Sequence, residues 1–509
     1  MYEKDDAKIH PRIRSADGDK ITGAKYDDLF SEQGVEIKPV EEQVVILVPH
    51  HWRRSSTLMS SLALHPDDKP RQDFKGISLF ESSEHVVISE KTMLQFSNSQ
   101  EHALSYIFQL QNGLGLTYGQ IIALAGDFYG DPDHPISDAP NPEQQFMTNF
   151  QSLAANPASV QEVRNILAIL TEEFDEVAVV IQQGLPPSAA YAELADSLSV
   201  KWNNVTRPGG GYGSWNPLSY SWLPFGRYLN LAGTNWDHFG ADAVKCYTAG
   251  HNLALTAAAA ATNDSQLAQA YAINAFADHF LTDLFSAGHI RTPRRQLYDS
   301  TIIPGQKGLA SLITRSMHDE DSHWGLWVNN PRGDQWVAYG DKRYRDMSNY
   351  QNAGVVTAAV QQSVNEVYQA FVSRQVPAPG TSGVFSFIPN LNANWTDTKN
   401  YSPMFIVWGD GSVRRRDYLQ QLNNYDWDYY WSVAVTFAKL KALGWISGPP
   451  ITPTGTGSTA PTGIGPTGFG ETGAPPGHLQ ATGPDVPLYP PTGPLGAGGP
   501  TGYIGPTGL

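Results

Sequence analysis

The sequence predicts a mainly α-helical protein: one multi-helix domain carrying a small β-containing N-terminal appendage and a disordered C-terminal tail. Three observations carry this. Stretches dominated by Ala, Leu and Phe, above all 241–261 and 276–287, contain no proline, and the second contains no glycine either. Residues of capping type, Thr117 and the run Thr262-Asn-Asp-Ser265, stand immediately before such stretches. From Gly448 the composition changes to repeated Pro-Thr-Gly, six times over, with no Lys or Arg. Glycine does not keep a strict third-residue register there, so a flexible, polyproline-prone extension is expected rather than a triple helix. The expected divisions are an appendage over 1–95, a helical domain over 96–447 and a tail over 448–509.

The elements follow in order. Residues 1–95 are polar and mixed in charge, with short β-like runs at Val44–Val48 and Val86–Ser89. His50-His51 in this part reads as a surface loop, for want of partner ligands. A first helix is expected over Glu101–Leu110, opened by His102. A second follows Thr117, with Ile121 and Leu124 on its buried stripe and Asp127 near its end. A carboxylate at a helix C-terminus opposes the macrodipole, so Asp127 asks for a cation. Residues 142–200 read as two or three helices broken at Asn156-Pro157 and Pro186-Pro187. The Gly- and aromatic-rich segment 201–236 has two readings: rings packed on the core, or a wall over a site in which Trp215, Trp222 and Tyr228 hold a quaternary ammonium or touch lipid. His238 precedes the Ala-rich helix 241–261, which carries His251, and a helix over 305–321 ends with His318 and Asp321 on one face. A hairpin at 326–339 and helices near 353–373 and 426–444 close the domain.

The bulk numbers narrow the function. A net charge of −16 with only 34 Lys+Arg argues against a surface for duplex nucleic acid. One cysteine, Cys246, rules out an intrachain disulfide. The first residues are charged and lack an apolar core, so no Sec-type signal is read there; the expectation is a cytoplasmic protein or one exported by a signal-less route. No run of eighteen apolar residues suggests a transmembrane helix.

Chemistry concentrates at Phe276-Ala-Asp-His-Phe-Leu-Thr-Asp-Leu-Phe-Ser-Ala-Gly-His289. On a helix His279 and Asp283 share a face, while Gly288 is the expected stop, after which His289 can turn back to the same place. A His and an Asp four apart usually form a solvated pair. Here they lie in an apolar helix where unpaired charge is costly, and imidazole with carboxylate suits Zn2+. The remaining candidates, His102, Asp127, His238 and His318, add only imidazole and carboxylate, which suits zinc at a hydrolytic site.

The His-x3-Asp-x5-His motif, the segment Asn235-Trp-Asp-His-Phe239 and the order of the flanking residues resemble the bacterial zinc-dependent phospholipase C family, whose superfamily also holds single-strand-specific zinc nucleases. The resemblance covers roughly 95–325. It implies a site of two to three zinc ions with ligands His102, Asp127, His238, His279, Asp283, His289, His318 and Asp321, with Asp283 bridging and Asp127 as candidate general base. It also implies phospholipid hydrolysis to diacylglycerol and a phosphorylated headgroup, with transient contact to a membrane surface. Two features depart from the family: no Trp lies just before His102 to serve as an N-terminal ligand, and Ser322 stands where an acid is usual, so Glu320 or Asp321 is expected to replace it.

Overall fold

The structure is a computed structural model that describes residues 82–183, 188, 198, 201–207, 226–300, 307–378, 381–390 and 400–445. Over these the chain is mainly helical, with small antiparallel sheets between the helices. The tail, Trp215, Trp222 and His50-His51 lie outside the described residues.

Helix α1 (Ser82–Ile88) comes first, then strands β1 (Met93–Gln95) and β2 (Gln100–His102), paired with Met93 opposite His102. Two sequence expectations fail here. The β-like run Val86–Ser89 is helical: Val86, Val87 and Ile88 are buried in the main core, and that burial outweighs the preference of β-branched residues for strands. Residues 82–95, grouped with the appendage in the sequence, therefore pack within the domain. The segment 101–110 is strand and turn, so His102 ends a strand instead of opening a helix. A chain of rings, Phe96 on Tyr106 and Tyr106 on Phe108, holds this extended path.

After β3 (Phe108–Gln109) and β4 (Gly115–Leu116), helix α2 (Tyr118–Tyr129) begins as expected at Thr117. The Thr117 side chain accepts from Gln120 N while the Gln120 side chain accepts from Thr117 N at 2.9 Å, a reciprocal cap. Helices α3 (Pro142–Ala154) and α4 (Ser159–Gln182) flank the break at Asn156-Pro157. Helix α5 (Arg227–Gly233) leads to α6 (Gly240–Ala260) and α7 (Asp264–Asp283), the latter capped by the Asn263 side chain.

Helix α7 is the axis of the fold. It packs against α2, against α6 and against α11 (Tyr350–Ser373), and nearly every residue from Leu267 to Asp283 is buried. That is why its sequence shows small and large apolar residues all round and no clean stripe. The approach to α6 is close: a Cβ at Gly250 would lie 2.7 Å from Ala277 Cβ and 2.3 Å from the Phe146 ring. On the face of α7 turned from the metal-type residues, Asp278 accepts from Tyr118 Oη and Ser363 Oγ, both at 2.7 Å, and Asn274 donates to the same two hydroxyls. Burial pushes the Asp278 carboxyl up to about 7 against those bonds. This network fixes the rotation of α7 and so aims its other face.

The C-terminal part adds α8 (Ala287–Ile290), α9 (Arg294–Asp299), α10 (Lys307–Trp324), the hairpin β5 (Leu326–Asn329) and β6 (Gln335–Ala338), a three-stranded sheet β7 (Phe405–Val407), β8 (Val413–Arg416), β9 (Trp427–Asp428), and α12 (Val433–Ala442). The hairpin is the one expected, with Leu326 opposite Ala338. Gly288, in contrast, does not stop the motif helix: α7 ends at Asp283 and Gly288 lies inside α8. Glycine is needed there for space, since a Cβ would meet His318 Cδ2 at 2.4 Å. A second, smaller core joins α9, α10, α12 and the three-stranded sheet through Leu297, Ile313, Met317, Phe405 and Leu440. No helix among the described residues is long and apolar enough to cross a membrane.

Candidate metal centre

Five segments bring imidazole and carboxylate groups to the end of α7: α1 with His85, α2 with Asp127, the short turn before α6 with His238, the end of α7 with His279 and Asp283 followed by α8 with His289, and α10 with His318 facing Asp341 on the loop after β6. Three sets of ligand atoms each lie within 4.8 Å of one another: His85, Asp127 and His279; His238, His279 and Asp283; His289, His318 and Asp341. The first two sets share His279.

Asp283 links them all. Its Oδ2 is 2.8 Å from His238 Nδ1 and 3.6 Å from His279 Nε2, while its Oδ1 is 3.7 Å from His85 Nε2 and 3.4 Å from His289 Nδ1. Asp127 Oδ1 lies 3.9 Å from His279 Nε2, and Asp341 Oδ2 lies 3.1 Å from His318 Nε2 and 3.6 Å from His289 Nε2. Most of these separations are too long for hydrogen bonds. They suit two ligands on one ion, because atoms about 2.1 Å from a tetrahedral zinc stand roughly 3.4 Å apart.

Hydrogen bonds outside the centre aim three of the rings. His279 Nδ1 is 2.8 Å from the Ile122 carbonyl, which can only accept, so the proton sits on Nδ1 and Nε2 faces the centre as a lone pair. His318 Nδ1 is 2.9 Å from the Asp319 carboxylate, with the same result for its Nε2. His85 Nδ1 is 2.8 Å from Thr282 Oγ1, whose own proton is directed to the His279 carbonyl; Thr282 therefore accepts from His85, and His85 Nε2 is left for a ligand role. Gly126 makes room for the rings, since a Cβ there would fall 2.5 Å from His279 Nε2 and 2.7 Å from His238 Cε1.

Every ligand-type residue of the three sets except His85 and Asp341 is fully buried, and those two are nearly so. Burial opposes ionisation, yet the His238 and His289 imidazoles beside it hold the Asp283 carboxyl well below the usual range. Burial acts to lower the His289 pKa, but the Asp341 and Asp283 charges carry it up to about 10. The Asp341 carboxyl is held low against burial by His289 and His318. Burial drives His279 well below its ordinary value, which keeps it neutral and ready to bind a cation.

The sequence anticipates Asp127, His238, His279, Asp283, His289 and His318, and the structure brings all six together. It does not bring in His102 or Asp321. His102 is buried on β2, where its Nδ1 accepts from Leu104 N at 3.2 Å and burial lowers its pKa to about 4. Asp321 is consumed elsewhere: Arg291 donates two bonds to it, at 2.9 and 2.8 Å, and Tyr401 Oη a third at 2.8 Å. Glu320 is likewise bound, by Arg416 at 3.0 and 2.7 Å. His85 and Asp341 stand in the centre instead. No spacing pattern marks Asp341 in the sequence, because it stands in a loop. Gly340 shows why 322 is small: a Cβ at Gly340 would lie 2.1 Å from Ser322 Oγ, so the loop that delivers Asp341 rests where a longer side chain would stand. For His85 the signal was masked by the β-like reading of Val86–Ser89. Tyr228 is a core residue, stacked on Phe128 and set against Trp202.

The contrast between the two aspartates is measurable. Asp321→Ala should destabilise the fold by about 3–5 kcal/mol, because it strands the buried Arg291, and should leave the metal content of the folded protein unchanged. Denaturant midpoints paired with elemental analysis check both halves.

A crevice lined by Glu84, His85, Asp283, Tyr339, Asp341 and Tyr344 among others borders the centre. Fold and site together define a mainly helical protein whose buried His/Asp groups can bind metal ions. Comparison with protein-family models, curated proteins and solved structures finds no match.

Proposed function

We propose that this chain is a zinc-dependent phosphodiesterase of the phospholipase C type, cleaving phosphatidylcholine-like lipids to diacylglycerol and a phosphorylated headgroup. The observation that carries the reading is the linked set of three His/Asp groups, with His279 common to two and Asp283 facing all of them. A donor set of neutral imidazole and carboxylate without thiolate favours two to three zinc ions at a hydrolytic site. Bound zinc supplies Lewis acidity toward a phosphoryl group near neutral pH. The chain's own residues do the rest: His279, His318 and His85 arrive with their lone pairs fixed inward, Asp283 spreads one negative charge over the whole centre, and Asp127, at the last turn of α2, is the candidate base for an attacking water.

Two features favour lipid over a single nucleic-acid strand. The net charge is −16, and the aromatic segment carries only three cations, Lys201, Arg207 and Arg227, of which Lys201 is paired with Glu172 and Arg227 with Glu162. A strand-binding groove needs free positive potential along its length. Trp215 and Trp222 remain the candidates for contact with choline or a lipid surface. The test is direct. Purified full-length protein should release phosphocholine from short-chain phosphatidylcholine in a zinc-dependent manner. Rapid degradation of single-stranded DNA with phospholipid left intact would replace this reading by the nuclease one.

A further inference from the structure

The loop that delivers Asp341 is held from outside. Lys342, next to Asp341, has φ of +72°, a left-handed conformation that a non-glycine residue keeps only when its surroundings impose it. Arg343 N, donating to Gly340 O at 3.1 Å, closes the turn, and the group that fastens it from outside is Glu84. Its Oε2 accepts from Lys342 N at 2.8 Å and its Oε1 from Tyr344 N at 3.0 Å, so one buried carboxylate grips the backbone on both sides of Arg343. Glu84 stands one residue before His85 on α1. Consecutive helical side chains point about 100° apart, and here that divergence sends His85 to Asp283 and Thr282 while Glu84 reaches the loop.

Helix α1 thus touches both ends of the centre. Its own length, seven residues, is too short to be stable alone, and it stays in place through the burial of Val86, Val87 and Ile88 and its packing on α2. At the far end, Asp341 Oδ1 accepts from Ser286 Oγ at 2.8 Å, and Gly340 N donates to Ser322 O at 3.1 Å, which sets the loop on α10. These contacts steer the carboxylate but do not impose the turn at Lys342. The turn is closed by the Gly340–Arg343 bond, and the Glu84 clamp on the Lys342 and Tyr344 amides ties it to α1.

We infer that Glu84 is a positioning residue that couples α1 to the Asp341 loop, so that the metal position of His289, His318 and Asp341 forms only while α1 is docked. This rests on the metal-centre reading above. It makes the two ends interdependent: the helix that offers His85 to one set of ligands also holds the third ligand of another.

The experiment compares full-length wild type, Glu84→Gln, Asp341→Asn and the double variant by zinc per folded chain after dialysis against metal-free buffer. Glutamine keeps the shape of Glu84 but turns an amide N–H toward one of the two backbone N–H groups, so the grip fails on one side. Glu84→Gln and Asp341→Asn should each lose the same single equivalent, and the double variant no more than one. Adding Lys342→Gly to Glu84→Gln should restore part of that equivalent, since glycine holds the left-handed turn unaided; a loss through general destabilisation would not be restored this way. Full zinc content in Glu84→Gln alongside a loss in Asp341→Asn overturns the coupling and leaves the centre standing. No loss in Asp341→Asn, or no zinc in wild type, removes the centre itself. Amide exchange in zinc-loaded wild type gives an answer that does not depend on the variants folding. The amides of Lys342 and Tyr344 should exchange slowly, and rapid exchange at both overturns the proposal.

Discussion

Asp283→Asn should lose essentially all hydrolytic activity, a fall in kcat/KM on the order of 10³-fold or more, the scale seen when a group that stabilises transition-state charge is removed. The structure gives the reason for the size. Among the described residues, Asp283 is the only carboxylate within 4 Å of His85, His238, His279 and His289 together. The substitution is nearly isosteric, so α7 keeps its packing, but it removes the negative charge that balances the imidazoles and any cation among them. Metal content should fall with activity. Because Asp283 lies at the C-terminal residue of α7, helical content by circular dichroism should stay at the wild-type level. A variant that kept its full complement of zinc and its activity would remove Asp283 from the centre.

Stripping the metal should cost nearly as much. At free zinc a hundred to a thousand times the dissociation constant, bound metal adds about 3–4 kcal/mol to the folded state. For a domain of this size that corresponds to a fall of roughly 5 °C in the thermal midpoint on chelation. The effect should grow with pH, and the signs can be worked from the ligands. In the metal-free protein His289 is raised to about 10 by Asp341 and Asp283. A raised histidine contributes stability that is fully present below its unfolded value near 6.5 and is lost as pH climbs toward 10. Zinc binding needs these rings neutral, so it strengthens over the same interval. The gap between loaded and chelated midpoints should therefore widen from pH 6 to pH 9, as differential scanning calorimetry would show. A gap that stayed constant or closed would contradict the ligand role of His289.

How much of this was legible in the sequence depends on how local each signal was. The helix starts at Thr117 and Asn263 were readable because a cap is decided within four residues. The motif in α7 was readable because i,i+4 spacing fixes a shared face whatever surrounds the helix. His102 was misread because Glu101–Leu110 offers no strong local preference; pairing with Met93–Gln95 and a stack of rings decided its path from afar. His85 was missed for the complementary reason, since Val-Val-Ile is locally strand-like and only burial against α2 makes it helical. Asp321 shares a face with His318 on α10, yet a guanidinium thirty positions upstream claims it. Asp341 lies in a loop, where spacing carries no directional information and the choice of ligand is made by the close approach of Gly340 to Ser322.

The scatter of the ligands along the chain has a kinetic side. From His85 to Asp341 they are drawn from both ends of the helical domain, so no short segment holds a complete site. An unfolded chain would have to close several long loops before an ion met three ligands, and each closure costs entropy before any coordination is gained. The metal can therefore do little to nucleate folding. An ion bound here would meet its ligands after the helices have assembled around α7, and its contribution would fall on the reverse step. Loading with zinc should slow unfolding while leaving the refolding rate almost unchanged, as expected for interactions absent from the transition state.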